Sequence, residues 1–294
     1  MKVSGFTIIR NGNKYDFPYL EAIKSIAPLC DEIIVAVGNS DDGTRASVLS
    51  LNEPKIKIID TIWDESLREG GVVLAVETDK AFDAIAADSD WCFYVQGDEV
   101  FHEQDYEKIQ SAMVKNLHNS EVEGIVFRYR NLYGSYDYEA DNHNWLKNEV
   151  RIVRNNPAIR SWKDAMSFRK NGKKLHCKMI DASIYHYGWV KNPVTQQLKR
   201  KNFEKLWHDD DHIEQKMSNL TATEFDYSKI ESLRRFHGTH PAVMQPRIAQ
   251  QNWQFDYDPT TRHLHTKFRH RIVNWLEKVT GLEIMRFKNY VLIK

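Results

Sequence analysis

Residues 91 to 101 read WCFYVQGDEVF, an apolar run that passes Gln96 and Gly97 and ends on two adjacent carboxylates, Asp98 and Glu99. Carboxylate oxygens are hard donors that anchor a divalent cation or accept a proton, and the end of a buried segment can present them for either task. Gly-Asp is also ordinary turn chemistry, and spacing alone leaves both readings open. Further on, His186 lies between Tyr185 and Tyr187 in ASIYHYGWVK. Its imidazole can ligate a metal, or pack between the two rings with its polar tip hydrogen-bonded. The HDDDH stretch at 208–212 sets His208 and His212 one helical turn apart, which a solvated helix end explains more simply than a metal.

An apolar run that delivers carboxylates to a ligand must be a strand ending on a cleft. The preceding sequence supplies a sheet for it. Residues 3–9 form an apolar run closed by Arg10, Asn11 and Gly12, and Asp16 is placed to cap a helix with Leu20, Ile23, Ile26 and Ala27 at helical spacing. EIIVAV at 32–37 reads as a buried strand, NSDDGT as a turn, 44–51 as a helix and 56–59 as a third strand. A helix over 77–87 then leads into the strand at 91–95. Alternating strands and helices predict a parallel α/β sheet covered on both faces, with ligands bound at the carboxyl ends of its strands. Those ends are Arg10-Asn11, Gly38-Asn39, Asp60 and Gln96 to Glu99. Beyond them the pattern predicts a helix from 104 to about 117 and strands over 124–130, 149–154 and 182–187. NLYGSYDYEADNHNWLKN reads as a long aromatic and polar loop, and 193–208 as a helix.

The 294 residues suit one large domain or a domain with an extension, and 41 basic against 41 acidic residues give no argument for nucleic-acid binding. Three scattered cysteines form no disulfide framework, no run is long enough to span a membrane, and the first residues are too short an apolar stretch for a signal peptide. A reducing cytoplasmic setting is the expectation. From 262 onward eight basic residues (Arg262, Lys267, Arg269, Arg271, Lys278, Arg286, Lys288, Lys294) face only Glu277 and Glu283. Phe268, Ile272, Trp275, Leu276 and Val279 make an apolar helical stripe among them. Such a helix can rest on an anionic membrane surface or pack on the domain.

FTIIRNGN, CDEIIVAVGNSDDGT, DWCFYVQGDEVFHE and ASIYHYGWVK together resemble glycosyltransferase family 2 enzymes of the GT-A fold. The first resembles the family's nucleotide-binding loop and brings in Arg10 and Asn11; the second resembles its Ser-x-Asp-Gly-Thr turn, with Asp42. The third resembles the strand ending in an Asp-x-Asp metal motif, with Gln96 in place of the first Asp, then Gly97 and Asp98. The fourth resembles the segment whose late histidine, here His186, completes the metal site. Where the family tends to carry an Asp at the end of the second strand, Val37 and Gly38 stand.

The resemblance implies an α/β GT-A (Rossmann-like) fold, mostly parallel and flanked by helices. It would comprise a catalytic domain over 1–190, with a nucleotide-sugar half to 100 and an acceptor half to 190, then a mainly helical extension over 191–294. It implies transfer of a sugar, with inversion, from a nucleotide-diphosphate donor to a glycan or glycolipid acceptor in surface polysaccharide or lipopolysaccharide assembly. A divalent Mn or Mg ion would be held by Asp98 and His186, with Gln96 on the ribose or a metal-bound water. Arg10 and Lys80 are candidates to balance diphosphate charge. VRIVRNNPAIRSWKDAMSF is similar to an acceptor segment in which two arginines, here Arg151 and Arg154, precede an acid, here Asp164, the candidate general base. Glu149 and Glu99 are its competitors. A spacing of three puts the two arginines on opposite faces of a regular strand, so one at most faces the cleft. The rings of Tyr133, Tyr136, Tyr138, His143 and Trp145 are candidates for stacking on an acceptor sugar. Two rival readings are a nucleotidyltransferase, which would release pyrophosphate, and a degenerate module that binds a nucleotide sugar without turning it over.

Overall fold

A computed structural model describes residues 1–67, 69–142, 144–208, 222–230, 232–261, 268–280 and 287–293. The first half runs β1 (Val3–Ile9), α1 (Tyr19–Ile26), β2 (Glu32–Gly38), α2 (Thr44–Leu49), β3 (Ile56–Thr61), α3 (Val72–Asp83) and β4 (Trp91–Tyr94). The order β3-β2-β1-β4 is parallel throughout, as the strand and helix alternation predicts. Side chains alternate across β1. Val3 and Ile9 join one core with Ile23, Ile26, Phe93 and Phe101, while Phe6 and Ile8 join the other with Ala81, Phe82 and Tyr94. Both faces are therefore covered, which is why these strands read as continuous apolar runs.

The chain then continues through β5 (Glu99–Phe101), α4 (Tyr106–Lys115), β6 (Gly124–Tyr133), β7 (Ser135–Ala140), β8 (Asn148–Arg154), β9 (Ile159–Trp162), β10 (Ser167–Lys170) and β11 (Lys173–Trp189). Here the sheet changes character. β8 pairs antiparallel with β4 and with β6, while β6 runs parallel to the 17-residue β11. After it come α5 (Pro193–Glu204), β12 (Leu233–Arg235), α6 (Gln245–Ala249), α7 (Phe268–Thr280) and β13 (Tyr290–Leu292). The extension expected to be mainly helical also supplies two strands to the sheet: β12 pairs with β7 and β13 with β11.

Two local expectations are corrected. Asp16 does not cap α1; it takes a left-handed backbone (φ 49°), its carboxylate pairs with Arg247, and Pro18 precedes the helix. Of the stretch read as a loop after residue 130, the part up to Ala140 folds instead as the β6–β7 hairpin. It turns at Gly134 (φ 74°), where Phe255 packs so closely that a Cβ would lie 2.4 Å from its ring. Tyr136 and Tyr138 are buried there among Trp253, Phe255 and Tyr257, so packing claims them. His143 lies outside the described residues, as does HDDDH beyond His208.

Candidate active site

The turn after β4 carries Gln96, Gly97 and Asp98 to the carboxyl edge of the parallel strands. There β5 turns back antiparallel onto β11, pairing Glu99 with His186. The Tyr187 amide donates to the Asp98 carbonyl at 2.8 Å and locks the two segments together. His186 Nε2 then lies 3.6 Å from Asp98 Oδ2. Its other nitrogen, Nδ1, is 3.1 Å from Asn131 Oδ1, and the Asn131 amide nitrogen donates to the Leu146 carbonyl at 2.8 Å. Asn131 thus fixes the ring orientation through Nδ1 and turns Nε2 toward Asp98. Gly188 leaves this corner open: a Cβ there would lie 2.5 Å from Nε2 and 2.6 Å from Oδ2. Burial opposes charge on Asp98, but Lys199, His186 and Lys191 outweigh it and hold the carboxyl well below its usual range. One carboxylate oxygen and one imidazole nitrogen suit a divalent cation that takes its remaining ligands from diphosphate and water. Among the described residues no group of three or more His, Cys, Asp or Glu could hold a metal.

Two cavities lie on either side of α5, and Asp98 and His186 line neither of them. The first, about 270 Å³, is lined by Arg10, Asn11, Tyr15, Trp63, Asp64 and Phe203, among others. Arg10 lies over the Trp63 ring at 5.6 Å and pairs with Glu65 at 2.8 Å, while Asn11 fixes the Asp41 amide at 3.1 Å from a left-handed backbone. Trp63 was not legible as a site residue. Its signal was Gly38, whose missing side chain lets the indole in: a Cβ there would lie 2.4 Å from Trp63 Nε1. That buried Nε1, packed against Gly38, has no hydrogen-bond partner among the described residues. The second cavity, about 770 Å³, is lined by Tyr133, Trp145, Trp189, Lys199, Phe203 and Trp207, among others. Tyr133 and Trp145, separated in sequence, come together here at 5.8 Å between ring centroids. The helix α5 divides the cavities, and its Phe203 lines both.

Asp164 sits in the β9–β10 hairpin loop between two left-handed residues, Lys163 (φ 56°) and Ala165 (φ 60°). Its Cβ and the Trp207 ring flank Gly71, at 3.0 Å and 3.3 Å from where a Cβ there would stand. Burial raises the Asp164 pKa, against weaker lowering by its own backbone, Lys163 and Arg151. Gln96 reaches this loop, its amide nitrogen donating to the Ala165 carbonyl at 3.1 Å. An aspartate in that place could not donate. The departure from Asp-x-Asp thus makes a strut between the strand end and the hairpin, and this hydrogen bond ties the Gln96 amide to protein rather than to ribose or metal.

Other candidates are committed elsewhere. Glu99 is fully buried, bound by Arg151 through both oxygens at 2.6 and 2.7 Å and by the Tyr129 hydroxyl at 2.7 Å. Arg151 also donates to the carbonyls of Val150 and Met166, so it is a core residue with no face for an acceptor. Arg154 stacks on Trp91 at 3.8 Å and binds carbonyls of the 116–122 turn, on the opposite face as its spacing required. Glu149 is almost fully buried beside Asn289 and Arg151, so it has no open face for an acceptor hydroxyl. The Asp42 carboxylate accepts from Lys14 and Thr44 and stabilises its own turn. Lys80 pairs with buried Glu77 at 2.6 Å, which withdraws it from a diphosphate role. Gly97 packs on Ile9.

The parallel 3-2-1-4 half, the antiparallel continuation and an acidic strand end facing a late histidine define an α/β fold of the GT-A type. No family model and no curated protein matches the chain. Among solved structures, it is similar to residues 1–349 of TarS from S. aureus, at 14% identity over 76% of this chain and 71% of that one (TM-score 0.39). The same fragment with UDP gives 14% identity over 75% and 70% (TM-score 0.40), and a match to the longer TarS chain covers 43% of its length. Glucosyl-3-phosphoglycerate synthase from Mycobacterium tuberculosis, with Mn2+, UDP and glucosyl-3-phosphoglycerate, is 17% identical over 44% of each chain (TM-score 0.31).

Proposed function

We propose that this chain is a glycosyltransferase that moves a sugar from a nucleoside diphosphate to a glycan or glycolipid acceptor. The observation that carries the reading is the Asp98–His186 pair at the sheet edge, close to α5, which divides two cavities. The smaller cavity suits the nucleoside, with Trp63 and Arg10 as a flat wall and Asn11 shaping the loop. The aromatic cavity suits an acceptor, because Trp145, Tyr133 and Trp189 offer flat faces to a sugar ring. A divalent ion held by Asp98 and His186 would supply Lewis-acid stabilisation of the leaving diphosphate. Asp164, half-buried and without an ion-pair partner among the described residues, takes the acceptor hydroxyl proton in an inverting displacement.

A thermal-shift screen of UDP-, GDP- and dTDP-sugars with and without Mn2+, followed by product analysis, tests this reading. Stabilisation by one donor and release of its nucleoside diphosphate are expected. Release of pyrophosphate would indicate a nucleotidyltransferase, and binding without turnover a degenerate module.

The acceptor reading extends to α7. Ile272, Trp275 and Val279 recur at helical spacing, and each is exposed, at 45%, 62% and 64%. Val273 and Glu277 are buried on the domain side, with Lys147 3.3 Å from Glu277. An exposed apolar stripe beside Arg271 suits an anionic bilayer, where lipid-linked acceptors for surface polysaccharide lie. Co-sedimentation with vesicles containing anionic lipid should fall for Trp275→Glu; equal binding by that variant would sink the membrane contact.

A further inference from the structure

Asp98 has a second neighbour that the metal reading does not use. Lys199, projecting from α5, places Nζ 3.4 Å from Asp98 Oδ2 and donates to the Gly188 carbonyl at 3.0 Å. Its ammonium lies over the rings of Phe17 at 4.6 Å and Phe203 at 5.3 Å. Those two acceptors engage two of its three protons, which leaves one for a ligand. Lys199 lines the aromatic cavity, and the Phe203 ring beneath it lines both cavities. It therefore stands at the junction that a donor must cross if its nucleoside fills one cavity and its sugar faces the other.

A second lysine lies close by. Lys191 is fully buried, binds the carbonyls of Tyr15 at 2.9 Å and Asp16 at 3.2 Å, and packs over Phe17 at 4.5 Å. Among the described residues no carboxylate pairs with it. Two lysines thus lie near one carboxylate, Asp98, and Lys199 is the one in direct contact with it.

We propose, resting on the nucleotide-sugar reading, that Lys199 is the chain's own cation for the donor diphosphate, so that a nucleoside diphosphate binds here without added metal. Charge-assisted hydrogen bonds from an ammonium to phosphate oxygens are short and strong. The diphosphate takes up the Lys199 proton not used by Asp98 and Gly188. Binding of metal at Asp98 adds to this contact and is not required for it.

Calorimetric titration of the full chain with UDP, GDP and dTDP and their parent nucleosides, in EDTA and in Mn2+, tests the proposal. One diphosphate should bind in EDTA. Lys199→Met should weaken it about 10- to 100-fold and leave the nucleoside unaffected, while Lys199→Arg should retain most of the affinity. Lys199→Gln, which keeps a donor for the Gly188 carbonyl but lacks the charge, guards against a folding defect in the methionine variant and should show the same loss. Binding only in Mn2+, or wild-type affinity in both uncharged variants, would reduce Lys199 to a counter-ion of Asp98 and leave the glycosyltransferase reading intact. No nucleotide binding in either condition would overturn both.

Discussion

Asp164 is presented by a strained hairpin, with left-handed Lys163 and Ala165 on either side of it and the Gln96 amide bracing its loop. Strain of this kind persists only where surrounding contacts enforce it, and it concentrates at working positions. Burial lifts the Asp164 pKa above that of a free aspartate, so the base is lost by protonation at a higher pH than usual. The rate of sugar transfer should fall as pH drops through that raised value. Asp164→Asn should cost about 10²- to 10⁴-fold in kcat and abolish the acid limb of the pH–rate profile; an unchanged profile in the variant would remove Asp164 from the reaction. The position of Asp98 was readable at this scale because an apolar strand in a parallel sheet ends at the ligand-binding edge, although Gly-Asp alone reads equally as a turn. Trp63 was not, since its role comes from the space left at Gly38, 25 positions away in the sequence.

Among the elements, β8 shows how period-two geometry sorts residues of the same type. Arg151 and Arg154 fall on opposite faces, and each is absorbed by the core on its side, one by Glu99 and one by Trp91 and turn carbonyls. The Arg151–Glu99 pair is nearly sealed from water, at 2% and 0% side-chain exposure. Removing one partner strands the other charge in the core. Arg151→Met should therefore destabilise the fold by about 3–5 kcal/mol in chemical denaturation, with Glu99→Gln in the same chain recovering much of the loss. A loss below about 1 kcal/mol would show that the pair is solvated and would reopen Arg151 as an acceptor contact. The contribution of α5 follows from position alone: a helix with no catalytic signature supplies Lys199 and Phe203 because it packs across the strand ends.

At the scale of the whole molecule, the sheet joins a parallel half built from local alternation to a second half of mixed direction. That second half is closed by the far end of the chain, as β13 pairs with β11 and Asn289 contacts Glu149. Burial pushes the Glu149 pKa up to about 7, more than Arg151 and Asn289 lower it. In the unfolded chain this group ionises near the ordinary glutamate value, so between the two values the native state holds a proton that the unfolded state has released. The associated stability is complete below the unfolded pKa and is lost as pH rises through about 7. Its size is on the order of 3 kcal/mol. Glu149→Gln should match wild type near pH 5 and exceed it in melting temperature near pH 8; equal melting at both pH values would count against this buried acid. The sequence by itself determined the parallel half and the placing of Asp98, because strand burial and helix period are written in neighbouring residues. The same locality misread the β6–β7 hairpin as a loop. Only the tertiary structure decided which charges are free for chemistry, because pairing depends on residues that meet across the fold: Glu99 with Arg151, Lys80 with Glu77, and Asp98 with His186 and Lys199.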